Sequence, residues 1–290
     1  ISILKKKLRI NFVKNILLIG SSGFIGKHLK KKLKSKYKIF ITKKNSQFDI
    51  KNYKDLEKNF KDNIDIVINL SGQISNKKEE MYNTIVLGNK NIINIAKKMK
   101  KNVKIYFFSS TLIYGFSNKI VDENFKTSTS SLYTKYKKIA EEEYIKSNIN
   151  YKILRISNVY DELKEGIIKN ILKSASSKKK LLLTNINSRR NYIHISDLTN
   201  IISKILSKKL KHKIYNIGNE NFSIFSILKT LEIKLKKKTI YHDKKINLKY
   251  LCSHRIKKTK ILKEINYKPK VGLIKFLLKK IKNEFKFSKK

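Results

Sequence analysis

The sequence predicts an α/β protein with a doubly wound parallel sheet, followed by a smaller C-terminal region. Two observations predict this class: short apolar runs alternate with amphipathic stretches in the first half of the chain, and the first apolar run leads directly into a glycine-rich turn. Strands separated by helices of roughly 10–15 residues form βαβ units, whose strands are parallel. We expect these strands at residues 15–20, 37–42, 64–70, 103–109 and 151–156.

The helices follow from apolar residues that recur every three or four positions, which is the spacing of one helix face. In the first half we expect helices at residues 24–33, 52–60, 84–99 and 133–145. The pattern is looser after about residue 160, and it predicts helices near 166–175, 196–206, 224–235 and 273–285, with a short strand at 214–217. The last of these helices is basic and amphipathic, and we expect its apolar face to pack on the protein rather than on a membrane surface. The serine-rich stretches 128–131 and 174–177 are predicted loops.

Composition excludes several classes of protein. The 290 residues, 40% of them hydrophobic, can bury a large core. The single cysteine, Cys252, excludes a disulfide scaffold and a cysteine-based zinc site, and the five histidines lack the spacing of a metal site, so we expect no metal. No apolar run approaches the roughly 18 residues of a membrane helix. Residues 1–14 lack the apolar segment of a signal peptide, so we expect a cytoplasmic protein without membrane insertion.

The formal net charge of +48 arises almost entirely from lysine, since the chain has 64 lysines and five arginines. Positive charge attracts nucleic acids and other polyanions. A nucleic-acid interface, however, concentrates its charge on one face and relies on arginine, whereas these lysines occur along the whole chain. The distribution favours compositional bias at exposed positions, with a preference for polyanions as the alternative.

The glycine turn Gly20-Ser-Ser-Gly23-Phe-Ile-Gly26 follows the first predicted strand and opens the first predicted helix. This is the context of a dinucleotide-binding turn. Gly20 permits the tight turn, Gly23 lets the backbone approach a pyrophosphate, and Gly26 lets the helix pack on the sheet. The free N–H groups at the start of the helix attract phosphates. The turn therefore predicts an NAD or NADP cofactor.

The end of the second predicted strand bears on the choice of cofactor. An acidic residue at this place binds the ribose 2′-hydroxyl of NAD, but the chain continues Ile41-Thr42-Lys43-Lys44 without one. The missing carboxylate favours NADP over NAD. The cation of Lys43 would suit a 2′-phosphate, but lysine is so frequent in this chain that Lys43 alone carries little weight.

A Y-x-x-x-K pattern occurs at Tyr133, Tyr160 and Tyr241, which is the number expected by chance in so lysine-rich a chain. Position selects Tyr133, since it alone opens a helix a short loop after the fourth strand. That strand ends in a run of hydroxyl residues, and ligands of parallel α/β sheets bind at this edge.

These features together resemble the extended short-chain dehydrogenase/reductases, and among them the NAD-dependent epimerase/dehydratase family that acts on nucleotide sugars. The resemblance covers nearly the whole chain, and the motifs occur in the family's order. The matching segments are 20–26, Asp49-Ile50, 69–72, 109–115 (SSTLIYG), 132–137 (LYTKYK), 155–160 (RISNVY), 190–197 (RNYIHISD), 215–218 (YNIG) and 267–269 (YKP).

The resemblance implies a Rossmann-like dinucleotide-binding domain over residues 1–160, of which 1–14 is a basic extension. Residues 161–290 would be mainly substrate-binding, with about 190–217 packing back on the first domain. The implied catalytic residues are Ser110, Tyr133 and Lys137. The implied cofactor contacts are Gly20, Gly23, Phe24, Ile25, Gly26, Lys43, Asp49, Ile50, Leu70, Ser71, Gly72, Tyr133 and Lys137. The implied nucleotide-sugar contacts are Thr111, Asn158 and Arg190, and a homodimer would form through helices 84–99 and 133–145.

Several positions depart from the family pattern. Ile85 occupies the place of a frequent asparagine, Ser71-Gly72 replaces two alanines, and Asp161 replaces a glycine. No second phosphate-binding arginine occurs before Arg255, so Lys244 or Lys245 would have to serve.

Two pairs of residues bear on the reaction type. Thr111 and Leu112 occupy the places of the Asp-Glu pair that the family's dehydratases use as an additional acid and base, so we do not expect sugar dehydration. Asp122 and Glu123 are predicted to be solvated in a loop.

The predicted chemistry is hydride transfer at a sugar carbon, with Tyr133 as the acid/base group. We expect the Lys137 ammonium to lower the pKa of the Tyr133 phenol from its ordinary value of about 10, and Ser110 to hydrogen-bond the reacting oxygen. An epimerase and a 4-ketoreductase both fit this constellation. The alternative is a non-catalytic dinucleotide-binding protein that binds a polyanion such as RNA.

Overall fold

A computed structural model describes most of the chain. The described residues are 14–41, 49–60, 63–72, 75–177, 181–236, 241–244, 253–257 and 259–287. Lys43, Lys245 and Cys252 lie outside them, as does the side chain of Lys244.

The described residues form thirteen strands and ten α-helices. The strands are β1 (Asn15–Ile19), β2 (Lys38–Ile41), β3 (Ile66–Asn69), β4 (Lys104–Ser110), β5 (Phe116–Val121), β6 (Tyr151–Ile156), β7 (Asn158–Tyr160), β8 (Leu181–Thr184), β9 (Arg189–His194), β10 (Ile214–Ile217), β11 (Glu220–Ser223), β12 (Tyr241–Lys244) and β13 (Ser253–Ile256). The helices are α1 (Phe24–Leu33), α2 (Tyr53–Asn59), α3 (Lys78–Tyr82), α4 (Gly88–Lys98), α5 (Leu132–Lys146), α6 (Ile167–Ser177), α7 (Ile195–Leu206), α8 (Ile224–Leu235), α9 (Lys260–Glu264) and α10 (Leu273–Phe287). A π-helical turn (Asn83–Leu87) joins α3 to α4, and a 3₁₀ turn (Thr111–Tyr114) follows β4.

Six parallel strands form the central sheet in the order β2-β1-β3-β4-β6-β10, which confirms the predicted fold class. The inner strands are apolar because both faces of the sheet are covered. One face packs against α1, α7 and α9, and the other against α2 to α5. Helix α7 shows the driving force, because Leu198, Ile201, Ile202 and Ile205 are completely buried, and burial of each such side chain contributes roughly 2 kcal/mol.

A smaller third cluster lies under β7, β8, β9 and the helices α6, α8 and α10. Leu273, Leu277 and Ile281 form one stripe of α10, and this stripe is buried in the cluster. The apolar face of the basic C-terminal helix therefore packs on the protein, as predicted. Within the described ranges, no helix is both long and apolar enough to cross a membrane.

The structure corrects two expectations about elements and adds strands that were not predicted. Residues 174–177 belong to α6 and not to a loop. The helical segment expected at 84–99 begins earlier, at Lys78, and passes through the π-helical turn. The sequence pattern did not reveal the strands β5, β7, β8, β9, β11, β12 and β13, which are three to six residues long and form small two- and three-stranded sheets.

Candidate active site

The glycine turn lies between the end of β1 and the start of α1. Gly20 has a backbone φ of +79°, a conformation that favours glycine. A Cβ at Gly26 would lie 2.2 Å from the Gly20 carbonyl oxygen, so only glycine lets the helix approach the turn this closely. At Gly23 a Cβ would meet its nearest neighbour, the Gly20 carbonyl oxygen, at an ordinary 3.4 Å. Phe24 and Ile25, in the first turn of α1, are half-buried against the core on this face of the sheet.

The end of the neighbouring strand β3 borders this turn. The Leu70 Cβ lies 3.2 Å from the place a Cβ would take on Gly20. Gly72 has a φ of +95°, and a Cβ there would lie 2.5 Å from Ile85 and 3.3 Å from the Lys137 Nζ. The predicted cofactor residues of β1 and β3 therefore share one edge of the sheet with Lys137.

Lys137 projects from α5 into the protein interior. Its ammonium donates hydrogen bonds to the carbonyl oxygens of Phe108 (2.8 Å) and Ser71 (3.1 Å). It also lies over the aromatic rings of Phe107 and Tyr133, 4.8 Å and 5.9 Å from their centroids. Burial lowers the pKa of Lys137 from 10.5 to about 7, although the nearby Glu141 carboxylate raises it in part.

Tyr133 lies in the first turn of α5, which begins with a capping box formed by Ser131 and Thr134. Its phenol hydrogen-bonds Ser110, the last residue of β4. Burial raises the pKa of Tyr133 to about 12, and the bond with Ser110 offsets this only in part. The expected lowering of the Tyr133 pKa by Lys137 is therefore wrong for the protein alone. The physical reason is that burial dominates and that the ammonium is bonded to backbone carbonyls.

A buried ion pair anchors α5 against the sheet. The Arg155 guanidinium on β6 donates to the Glu141 carboxylate at 2.7 Å, and both side chains are almost fully buried. Arg155 also donates to the Tyr114 hydroxyl at 2.8 Å, and that hydroxyl donates to Asn216 on β10. Because Glu141 lies one helical turn beyond Lys137, this network fixes the helix that carries Tyr133 and Lys137.

Asp49 and Ile50, two of the implied cofactor contacts, lie between β2 and α2. Ile50 is buried against Gly88, where a Cβ would lie 2.5 Å from its Cδ1. The Asn91 side chain donates to the Ile50 carbonyl at 2.9 Å. Asp49 is exposed and forms an ion pair with Lys51 at 3.0 Å. The side chain of Ile50 thus packs inward, while the carboxylate of Asp49 faces solvent.

The predicted substrate residues Asn158 and Arg190 line one pocket of about 260 Å³. Lys164 lines the same pocket, donates to the Val159 carbonyl at 2.7 Å, and lies 5.5 Å from the Phe24 ring centroid. Burial lowers the pKa of Lys164. In the sequence Lys164 is only the lysine of the Y-x-x-x-K match at Tyr160, one of the three matches expected by chance. Because lysine is so abundant in this chain, the sequence did not single out Lys164. Thr111 is buried next to Ser110, at the start of the 3₁₀ turn.

The structure corrects the prediction that Glu123 is solvated. Its side chain is only 6% exposed and lies 3.5 Å from the Lys260 ammonium, and its carboxylate accepts the Asn216 backbone N–H at 3.0 Å. Asp161, at the expected glycine position, lies 3.6 Å from His28. Among the residues that the structure describes, no cluster of three or more His, Cys, Asp or Glu side chains could hold a metal ion.

The fold and this arrangement define an enzyme of the extended short-chain dehydrogenase/reductase type. The model of the NAD dependent epimerase/dehydratase family matches residues 16–218, and the chain belongs to that family.

Individual relatives resemble the chain over most of its length. An uncharacterized protein of Methanocaldococcus jannaschii, MJ1055, is 28% identical over 316 residues, covering 90% of this chain and 93% of that protein. The N-acetyl-alpha-D-glucosaminyl-diphospho-ditrans,octacis-undecaprenol 4-epimerase of Escherichia coli O157:H7 is 26% identical, covering 77% of this chain and 73% of the relative. The solved structure of dTDP-glucose 4,6-dehydratase from Bacillus anthracis in complex with NAD has a TM-score of 0.80 at 21% identity, over 94% of this chain and 97% of that one.

Proposed function

We propose that the protein is an NAD(P)-dependent enzyme that epimerises a nucleotide sugar or reduces its 4-keto form, with Tyr133 as the acid/base group. One observation carries the proposal: the Ser110 hydroxyl, the Tyr133 phenol and the Lys137 ammonium meet at the carboxyl edge of the sheet. They lie beside the strand ends that carry the glycine turn and Gly72, where ligands of parallel sheets bind.

The residues of this edge fit a dinucleotide. Backbone atoms line the glycine turn because Gly20 and Gly26 exclude side chains from it, and the N–H groups at the start of α1 would hold the pyrophosphate. Gly72 lets the Ile85 side chain and the Lys137 ammonium approach its backbone closely, since a Cβ there would lie 2.5 Å from Ile85 and 3.3 Å from the Nζ. A bound nicotinamide supplies the hydride acceptor or donor. Directly after β2 the sequence has no carboxylate, which supports NADP over NAD.

In this proposal Tyr133 exchanges a proton with the sugar oxygen at the carbon that gives or receives hydride. Ser110, which already bonds the phenol, donates to the same sugar oxygen and fixes its position. The Lys137 ammonium, 5.9 Å from the centroid of the Tyr133 ring, stabilises negative charge that develops on the phenol oxygen during proton transfer. Two backbone carbonyls hold the ammonium in this place.

The substrate side requires groups that bind a diphosphate. Arg190 and Lys164 bring two cations to the pocket that Asn158 also lines, and a guanidinium and an ammonium are the cations that proteins use for phosphate. A sugar joined to a diphosphate is also the feature that the name of the 26%-identical relative records. We propose that residues 1–160 bind the cofactor, that residues 161–290 bind mainly the substrate, and that Thr111 contacts the sugar beside Ser110.

The test is a turnover assay on the purified chain. Conversion of UDP-glucose or UDP-N-acetylglucosamine to its 4-epimer, without net consumption of cofactor, identifies an epimerase. Stoichiometric oxidation of NADPH with a 4-keto nucleotide sugar identifies a ketoreductase. Tyr133→Phe should lower either activity by about 10²- to 10⁴-fold, while Tyr136→Phe, on the same helix, should retain it. Turnover that survives in Tyr133→Phe at the parent level contradicts the proposed role.

A basic groove favours a second candidate, a non-catalytic dinucleotide-binding protein that binds RNA. The groove between α1 and α7 encloses about 800 Å³ and is lined by Lys31, Lys32, Lys36, Lys204 and Lys270. Binding of a single-stranded RNA that weakens steeply between low and moderate salt, and that is lost when these lysines become glutamine, would support this candidate. Salt-independent binding would exclude it.

We also propose a homodimer through α4 and α5. Large apolar side chains are exposed on or beside these helices, namely Tyr82, Leu87 and Ile145, the last of them 50% exposed. Light scattering should report twice the monomer mass for the parent and a monomer for Ile145→Asp. A parent that is monomeric at micromolar concentration would contradict the dimer.

A further inference from the structure

A chain of buried polar side chains runs beneath the end of β3. The Asn69 Nδ2 donates to the Asn89 Oδ1 at 2.8 Å, and the Asn69 Oδ1 accepts both the backbone N–H of Ser71 at 3.0 Å and its hydroxyl at 2.6 Å. The Tyr144 hydroxyl donates to the same Asn89 oxygen at 2.8 Å. Asn69, Asn89 and Tyr144 have no exposed surface.

Asn89 is the junction of this chain. Its oxygen accepts two bonds, and its amide nitrogen donates to the Ile85 carbonyl at 2.6 Å, inside the π-helical turn. Ile85 in turn packs on Gly72, where even a Cβ would not fit. Asn89 therefore supports the Ser71–Gly72 segment from two sides, through Asn69 and through Ile85.

The far end of the chain reaches the proposed catalytic lysine. The Ser71 carbonyl is one of the two acceptors of the Lys137 ammonium. Its place is set by Asn69, which binds Ser71 twice. A buried polar group that loses a hydrogen-bond partner is costly. Each residue of this chain is therefore held in place by its neighbours, and a displacement of one residue displaces the next.

We propose that Asn89 and Tyr144 are positioning residues that hold the Ser71 carbonyl against the Lys137 ammonium. The proposal rests on the proposed function only for the role of Lys137; the positioning itself is a property of the fold. Neither side chain contacts the predicted substrate pocket, so both act through Asn69 and Ser71.

Hydrogen exchange of the Ser71 amide tests the positioning without substrate. In Asn89→Leu the Asn69 amide loses its partner, and the Ser71 N–H should exchange about fivefold to tenfold faster than in the parent, the change expected for loss of one buried hydrogen bond. Tyr144→Phe, which keeps the Asn69–Asn89 bond, should give a smaller increase and covers the case in which Asn89→Leu does not fold.

Tyr106→Phe is the matched control. Its hydroxyl is also buried and donates one hydrogen bond, to the Ile205 carbonyl at 3.3 Å, but it lies on the opposite face of the sheet. Tyr106→Phe should lose about as much thermal stability as the test variants, but the exchange rate of its Ser71 amide should equal that of the parent. Equal exchange of the Ser71 amide in Tyr106→Phe and in both test variants would overturn the proposal.

A pH titration of NADH and NADPH binding gives a second readout, which a merely structural role would not move. In Asn89→Leu the Ser71 carbonyl is no longer held against the Lys137 ammonium, which loses one of its acceptors. Because hydrogen bonds to the ammonium favour its charged form, the pKa of Lys137 should fall by about half a unit or more. A pH midpoint equal to that of the parent would count against positioning. A parent that binds neither nucleotide would refute the proposed function, while the exchange measurement would still decide the role of Asn89.

Discussion

Replacing Lys137 by methionine should change how the stability of the protein depends on pH. Burial lowers the pKa of Lys137 to about 7, from 10.5. Between these values the unfolded chain binds more protons than the folded one, so the folded protein gains stability as the pH rises. Below pH 7 both states carry the proton, and the full cost of burying the ammonium is present.

The magnitude follows from the two pKa values. At pH 7 the buried ammonium destabilises the fold by about 4 kcal/mol, and at pH 9 by about 2 kcal/mol, because a pKa difference of one unit corresponds to about 1.4 kcal/mol. Lys137→Met removes this cost, but it also leaves the carbonyls of Ser71 and Phe108 without their donor, at about 1–3 kcal/mol each. The two effects nearly cancel at pH 7, so the change with pH is the informative quantity.

Urea unfolding at pH 7 and pH 9 measures that change. The stability of Lys137→Met relative to the parent should fall by about 2 kcal/mol between the two pH values, while its turnover is lost at both. Lys135→Met, at an exposed position of the same helix, is the control for removing a lysine from α5. A stability difference that stays constant from pH 7 to pH 9 would refute the burial of a charged Lys137.

Three further predictions concern the remaining parts of the site. Tyr133→Phe should lower turnover by about 10²- to 10⁴-fold with unchanged affinity for NADH, measured by steady-state kinetics and fluorescence titration, since general acid–base catalysis contributes a factor of this size. Gly26→Ala should lose both nucleotide binding and thermal stability, because its Cβ would lie 2.2 Å from a backbone oxygen, whereas Gly23→Ala should keep its melting temperature and lose affinity alone. Replacing Arg190 or Lys164 by methionine should raise the KM for the sugar substrate about tenfold or more, as for a lost charged hydrogen bond, and an unchanged KM would remove that cation from the diphosphate site.

The inner strands of the central sheet, β1, β3, β4 and β6, could be predicted because they are buried on both faces. A run such as residues 15–20 has no polar residue between its ends that could be turned to solvent, so only a covered parallel strand accommodates it. The helix at 24–33 agrees with the structure at both ends, since Gly23 precedes it and its apolar residues keep helical spacing. The same physics explains the agreement at β6 and β10.

The small strands could not be predicted because each is defined by pairing with a strand that is distant in the sequence. β5 is largely exposed and has little alternation to read, and it is defined by pairing with β13, more than a hundred residues away. Glu123 shows the same limit at the level of one side chain. Its burial depends on Asn216 and Lys260, which no local pattern connects to it.

The electrostatics of the site depend on burial, and this is why the expected pKa of Tyr133 was wrong. Sequence spacing placed the ammonium of Lys137 near the phenol, and the structure does so. Spacing carries no measure of desolvation, which raises the pKa of Tyr133 to about 12 and lowers that of Lys137 to about 7. Both shifts disfavour the charged forms that the proposed chemistry needs.

These opposing shifts constrain how the proton can move. At pH 7 a phenol with a pKa of about 12 loses its proton at a cost of about 7 kcal/mol, so a free phenolate is not a stable ground state of this site. In the proposed reaction the proton must therefore leave Tyr133 for the sugar oxygen only as negative charge develops on that oxygen, while Lys137 is in its ammonium form. Because Lys137 retains that form only below about pH 7, anything that holds its carbonyl acceptors in place, such as Asn69 bound to Ser71, widens the pH range in which the site can work.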